Sequence, residues 1–232
     1  MHQIRIGNLE IDVFRKDIKN LHLAVYPPNG RVRIAAPLKS NEESIRLFAV
    51  SKITWIKNQQ KKFHEQVRQS EREYVSGESH YVYGTRYLLT VIPDSPKNHV
   101  NIRNKTYLDL YVKKGSTKEQ REKVITEWYR KQLKSEIPQI IEKWQDIMCV
   151  EVKDWGVKKM RTKWGSCNIE NQRIWINLDL AKKPKHCLEY VIVHEMVHLL
   201  ERNHNDQFVA YMDRFLPQWR IIKNELNKLI FY

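Results

Sequence analysis

An α+β fold in two parts is the fold class that the sequence predicts. A β-rich region with one long helix is expected over residues 1–115, and a mainly helical domain with a small sheet over residues 116–232. Short runs that alternate apolar and polar residues dominate the first part, and apolar residues at helical spacing dominate the second. With 41% hydrophobic residues in 232, the chain is long enough to bury one large core or two small ones.

The first part carries strand and turn signals in order. A Pro-Pro-Asn-Gly turn separates the first two alternating runs and predicts a hairpin. Ser40 followed by Glu43 is a capping-box pattern, which predicts one long helix toward Arg68. Gly84 marks a turn, and the chain then returns to strands. The strands are expected at 21–27, 31–37, 81–92 and 100–112, the last being one strand or two.

The second part begins after Lys113, Lys114 and Gly115, the predicted boundary. Ser116 with Glu119 forms a second capping-box pattern that opens a helix toward Met148, which Pro138 is expected to kink or restart. Further on, Pro184 fits the first turn of another helix, and two shorter helices, broken at Pro217, finish the chain. Strands are expected at 149–155 and 173–180.

Charge and cysteine content bear on partners and location. The formal net charge is +14, and residues 1–115 hold 20 Lys and Arg against 11 Asp and Glu. This excess predicts either a nucleic-acid or nucleotide partner or a solvated lysine-rich surface. Three cysteines without paired metal spacing predict free thiols. With no apolar run long enough for a membrane span and no signal-peptide core, we expect a cytoplasmic protein without a membrane partner.

Residues 191–200, VIVHEMVHLL, contain two histidines four positions apart, His194 and His198, with Glu195 beside the first. On an α-helix, His194 and His198 lie about 40° apart around the axis and Glu195 lies about 60° from His198, so two imidazoles can bind one ion next to a carboxylate. Zinc hydrolases use this arrangement, with the carboxylate taking a proton from the water that the metal activates. An amphipathic helix with incidental histidines is the alternative. The apolar neighbours predict burial, where unpaired polar groups are costly, and this favours the metal.

A third ligand is needed, because catalytic zinc sites usually have three protein ligands and one open position. His186 lies two helical turns before the motif and is too far along the axis. His204 would face away on a continuous helix and can contribute only if the helix ends first. Asn203 favours such an end near residues 201–203. The resulting spacing is similar to that of metzincin proteases, except that their turn glycine is Glu201 here.

Several segments resemble the YgjP-like/SprT-like zinc metallopeptidases. The specific ones are R-T-K-W-G-S-C at 161–167, I-W-I-N-L-D-L at 174–180 and the histidine segment at 190–208. Segments 55–57 and 74–89 are similar to that family's N-terminal part. The resemblance implies a zincin-like catalytic domain over 116–232 behind a β-rich region. It also implies that the zinc ligands are His194, His198 and His204, and that Glu195 is the general base.

Three functions remain open from the sequence. A zinc-dependent metallopeptidase acting on peptides or proteins is the first. A zinc hydrolase of nucleotide phosphoanhydride bonds is the second, with the basic loop at Arg161 and Lys163 holding phosphates. A nucleic-acid-associated protein with a structural zinc is the third, and Glu195 argues against it. By analogy with zincins, strand 173–180 is a candidate edge strand that pairs with an extended substrate.

Overall fold

The computed structural model describes residues 2–26, 29–65 and 72–228. By its internal contacts the chain divides into two compact units, residues 1–67 and 68–232. Within the described residues, antiparallel and parallel strand pairs form three small sheets, and six α-helices accompany them. The predicted α+β class, with sheets first and a mainly helical part with a small sheet after, is confirmed.

The first unit is a four-stranded sheet with two helices. Its strands are β1 (His2–Ile6), β2 (Leu9–Lys16), β3 (His22–Tyr26) and β4 (Arg31–Pro37), in the order β1-β2-β4-β3. Its helices are α1 (Glu42–Ser51) and α2 (Ile53–Glu65). Alternate apolar residues of β2 and β4, such as Ile11, Val13 and Ile34, are fully buried, because successive side chains of a strand point to opposite faces. They form the centre of a core that is confined to this unit.

Two expectations for this unit need correction. The predicted hairpin is confirmed, since β3 and β4 pair antiparallel, although Pro27 and Pro28 of its turn lie outside the described residues. The long helix, however, is two helices that break at Lys52, and Arg68 lies outside the described residues. Its N-cap is Asn41, whose side chain accepts a hydrogen bond from the amide of Ser44, so the Ser40 capping box does not form.

The second unit begins with another four-stranded sheet and a long helix. Its strands are β5 (Ser79–Val82), β6 (Thr85–Ile92), β7 (His99–Arg103) and β8 (Tyr107–Tyr111), in the order β5-β6-β8-β7. The turn predicted at Gly84 is confirmed, with φ of +84°. Helix α3 (Lys118–Met148) is continuous and contains Pro138. Its capping box uses Thr117 and Gln120, one residue after the predicted pair.

The unit ends with a three-stranded sheet and three helices. The strands are β9 (Asp154–Lys158), β10 (Gly165–Asn168) and β11 (Arg173–Asn177), in the order β10-β11-β9. A short 3₁₀ helix (Leu178–Lys182) follows, so the strand expected over 173–180 ends at Asn177. The helices are α4 (Lys185–Val197), α5 (Asp206–Phe215) and α6 (Trp219–Lys228), the last two separated at Pro217 as predicted.

One core joins both sheets of this unit to its helices. Leu108 and Leu110 of β8, Leu133 of α3, and Ile192 and Val193 of α4 are all fully buried in it. The compact units therefore divide at residue 67, because the strands of 79–111 share a core with the later helices. Whether residues 116–232 act as a domain of their own stays a prediction. Within the described ranges, no helix combines the length and apolar character of a membrane span.

Candidate active site

Helix α4 places the first two histidines and the glutamate. Pro184 is its N-cap residue, and the amide of Cys187 donates to the Pro184 carbonyl at 2.9 Å, which starts the helix. Nearly every residue from Cys187 to Val197 is buried, as expected of a helix that is apolar on all sides. His194 and Glu195 are the polar residues at the end of this buried segment, where the helix reaches a cleft.

The chain turns back immediately after α4. The helix ends at Val197 with His198 as its C-cap, a few residues before the predicted stop. The amide of Glu201 donates to the Val197 carbonyl at 2.9 Å, and the Glu201 side chain accepts from the amide of Asn203 at 2.9 Å. The glutamate that replaces the metzincin glycine therefore helps to shape this turn. The turn returns His204 to the face of α4.

The three histidines meet at one point. One ring nitrogen from each of His194, His198 and His204 lies within 4.8 Å of the other two. Nε2 of His204 is 3.0 Å from Nε2 of His194, close to the roughly 3.3 Å between two nitrogens bound to one tetrahedral zinc ion. Nδ1 of His198 contacts the Glu201 carbonyl at 3.2 Å, which leaves Nε2 of that ring available as a ligand. These donors fit a zinc ion.

Burial favours the neutral forms of His194 and His204, and a neighbouring ring packs against all three histidines. Phe208, buried in α5, packs against all three rings, with centroid distances of 5.0, 4.9 and 4.6 Å. Burial, with His198 and His204 nearby, lowers the pKa of His194 to about 3. Burial also lowers the pKa of His204. Neutral imidazole is the form that binds a metal. The helical spacing of Phe208 indicates a core residue, and in the structure the Phe208 ring also supports the three histidines.

Glu195 lies in the same cleft against a glycine. Its side chain is 6% exposed, and burial raises the pKa of its carboxyl to about 8, with the Lys163 cation opposing the shift. Gly165 of β10 is so close that a Cβ there would lie 2.6 Å from Oε1 and 2.7 Å from Cγ of Glu195. Only a residue without a side chain fits between β10 and this carboxylate. The sequence contains no local signal for this contact.

The cleft itself has a volume of about 910 Å³. One wall is α4 with the histidine turn, and the other is the segment 162–170, which contains β10. Strand β10 is at the edge of its sheet, whereas β11 is paired on both sides. The candidate edge strand at 173–180 was therefore wrong. Because β10 pairs with β11 alone, its other backbone edge faces no strand of the described chain.

Asn177 is the last residue of β11. It is 4% exposed, and its side-chain amide donates to the carbonyls of Met160 at 3.0 Å and Lys163 at 2.8 Å. The backbone amide of Asn177 donates to the Trp164 carbonyl at 2.9 Å. These bonds fix the loop that leads into β10. In the sequence, the signal for this role of Asn177 was a polar residue at the end of an apolar strand.

Some of the other residues named from the sequence line the cleft, and others do not. Lys163 and Trp164 line the cleft, while Arg161 is exposed and lies outside its lining. The three cysteines are free, as predicted. Cys187 is fully buried, but Cys167 is half-buried and lines the cleft, where burial raises the pKa of its thiol to about 11.

Comparison with known proteins identifies a family for this chain. The family model described as YgjP-like, metallopeptidase domain, matches residues 19–229. No curated protein matches the sequence. Among solved structures, the chain is similar to the crystal structure of the metallopeptidase zymogen of Pyrococcus abyssi abylysin. The two are 15% identical, with a TM-score of 0.38, over 40% of this chain and 94% of that chain. That likeness is too low to carry a conclusion, whereas the family match spans most of the sequence.

Proposed function

Because the chain belongs to the YgjP-like metallopeptidase family, we propose that it is a zinc-dependent peptidase that hydrolyses peptide bonds with an activated water molecule. The observation that carries the proposal is the convergence of three imidazoles beside a buried carboxylate in one open cleft. Each side chain in this set matches the residue type that zinc hydrolysis requires.

His194, His198 and His204 are the proposed zinc ligands. They come from a helix, its C-cap and the following turn, and this leaves one side of the cluster facing the cleft. A catalytic site with three protein ligands and one open position has this composition. The carbonyl of Glu201 orients the ring of His198, and the buried ring of Phe208 keeps the three imidazoles in contact.

Glu195 is the proposed general base. A bound zinc ion would polarise a water molecule and the substrate carbonyl and would favour the ionised form of the nearby carboxylate. Glu195 then accepts the proton that the attacking water releases and passes it to the leaving amine. Gly165 of β10 lies directly behind the Glu195 carboxylate, so the side chain of Glu195 stays directed toward the cleft.

Strand β10 is the proposed binding surface for the peptide. Its free backbone edge and the cleft lie beside α4, so an extended substrate adds a strand to β10 with its scissile bond next to Glu195. Such pairing recognises the main chain, which suits a peptide. The family match supports this substrate class over the phosphoanhydride and structural-zinc alternatives.

Zinc-loaded protein incubated with casein and, separately, with nucleoside triphosphates tests the proposal. We expect new casein fragments on a gel or by mass spectrometry, their loss after chelation, and their return with added zinc. Release of phosphate from the triphosphates with no cleavage of casein would overturn the peptidase assignment.

A further inference from the structure

A second cavity lies in the second unit, between the edge strand β7 and helix α3. It has a volume of about 720 Å³, within the range of ligand sites in proteins. Its floor is apolar and consists of Val100, Val112, Val124 and Trp128. No residue of this cavity also lines the catalytic cleft.

The rim of this cavity is strongly positive. Four exposed lysines line it: Lys97, Lys113, Lys123 and Lys131. None of the four forms an ion pair with a carboxylate of the described residues, while other lysines of the unit, such as Lys143 with Glu189 at 2.7 Å, do. The one acidic residue of the lining, Glu127, is 3.3 Å from Nε of Arg130 and so already has a cation beside it.

The spacing of the charges indicates the shape of the ligand. Lys123 and Lys131 are eight residues apart on α3, or about 12 Å along its axis, and the other two lysines follow β8 and precede β7. A single phosphate group reaches one or two of these cations, whereas an extended chain with several carboxylates reaches all four. The aliphatic floor adds a place for apolar side chains between the acidic ones.

We propose that this groove, which shares no lining residue with the catalytic cleft, binds an acidic peptide segment of a partner protein. Among the described strands, β7 pairs with β8 alone, so its position at the sheet edge also favours a peptide, whose main chain can pair with such an edge. The bases of a single-stranded nucleic acid stack on exposed aromatic faces. The only tryptophan in the lining, Trp128, is half-buried.

A binding assay on the full chain tests the groove without turnover. The probe is a fluorescein-labelled ten-residue peptide that alternates Glu with Leu and Thr, and the protein carries Glu195→Gln so that the peptide is not consumed. In this background, Lys123→Glu with Lys131→Glu should weaken binding by at least about tenfold. Lys134→Glu with Lys153→Glu makes the same charge change at exposed lysines outside the groove and should leave binding within about twofold.

Further measurements identify the ligand class. Binding should weaken steeply with salt and be absent for the same peptide with Gln in place of Glu. Trp128→Phe should remove most of the change in tryptophan emission that the peptide causes. Equal weakening by both lysine pairs would overturn the proposal, as would binding of the Gln peptide at the same affinity. Displacement of the peptide by duplex DNA or inorganic phosphate at lower concentrations than by unlabelled peptide would also overturn it.

Discussion

Gly165 lies directly against the side chain of Glu195: a Cβ on Gly165 would be 2.6 Å from the carboxylate Oε1. Gly165→Ala should therefore displace the carboxylate while leaving the histidines in place. We expect the cleavage rate to fall about 10²-fold, the loss that a displacement of about 1 Å can cause in a catalytic group, with zinc content unchanged. Rate and metal content measured on the same preparation check this.

Gly156→Ala is the matched control for that substitution. Gly156 is in β9 of the same sheet, and a Cβ there would lie 2.4 Å from the ring of Trp175 rather than near the cleft. It should lower the melting temperature but leave the rate per folded molecule nearly unchanged. If both alanine variants lose activity in proportion to stability, Gly165 supports the sheet and does not position Glu195.

His204→Ala should weaken zinc binding by more than about 100-fold, because it removes one of three proposed ligands. Competition with a chromophoric chelator measures the affinity. The control is His22→Ala, since His22 is an exposed histidine of β3, in the first unit. Full zinc affinity in His204→Ala would show that the third ligand is another group.

His80 predicts a pH dependence of stability that is independent of the metal. It is 2% exposed in β5, and burial, with the Arg72 and Lys182 cations, lowers the pKa of its imidazole to about 3 despite Glu78 at 3.5 Å. The unfolded chain, with a pKa near 6.5, binds the proton first, so stability falls as the pH drops from about 6.5 toward 3.

Denaturant unfolding at pH 7 and pH 5 measures this contribution. The His80 effect should be roughly 1–2 kcal/mol over that interval. His80→Gln should flatten the pH dependence by this amount, whereas His99→Gln, at an exposed histidine, should not change it. An unchanged slope in His80→Gln would mean that His80 becomes protonated in the folded protein.

Local periodicity predicted much of the candidate site, since His194, Glu195 and His198 lie on one helix and their relative positions follow from helix geometry. The position of His204 depends on where α4 ends. The end came earlier than expected because the Glu201 amide and side chain, rather than a left-handed Asn203, shape the turn. Asn203 has no positive φ.

Contacts between distant parts of the chain could not be predicted in the same way. Gly165 meets Glu195 across 30 positions of sequence, and nothing next to either residue signals the contact. Strand β10 was missed because G-S-C-N has no alternation of apolar and polar residues. For the same reason the edge position was assigned to β11, whose apolar alternation is clear but which lies in the centre of the sheet.

Glu195→Gln, measured for zinc content and casein cleavage on one sample, tests whether Glu195 is the general base of a zinc peptidase. The amide cannot accept the proton from water, so we expect full zinc occupancy, a normal melting temperature and a rate lower by about 10² to 10⁴. Glu170→Gln, which makes the same change at an exposed position in the same cleft, should retain activity. Full cleavage by Glu195→Gln with zinc bound would contradict the proposed role of Glu195, because the general base would then be another residue.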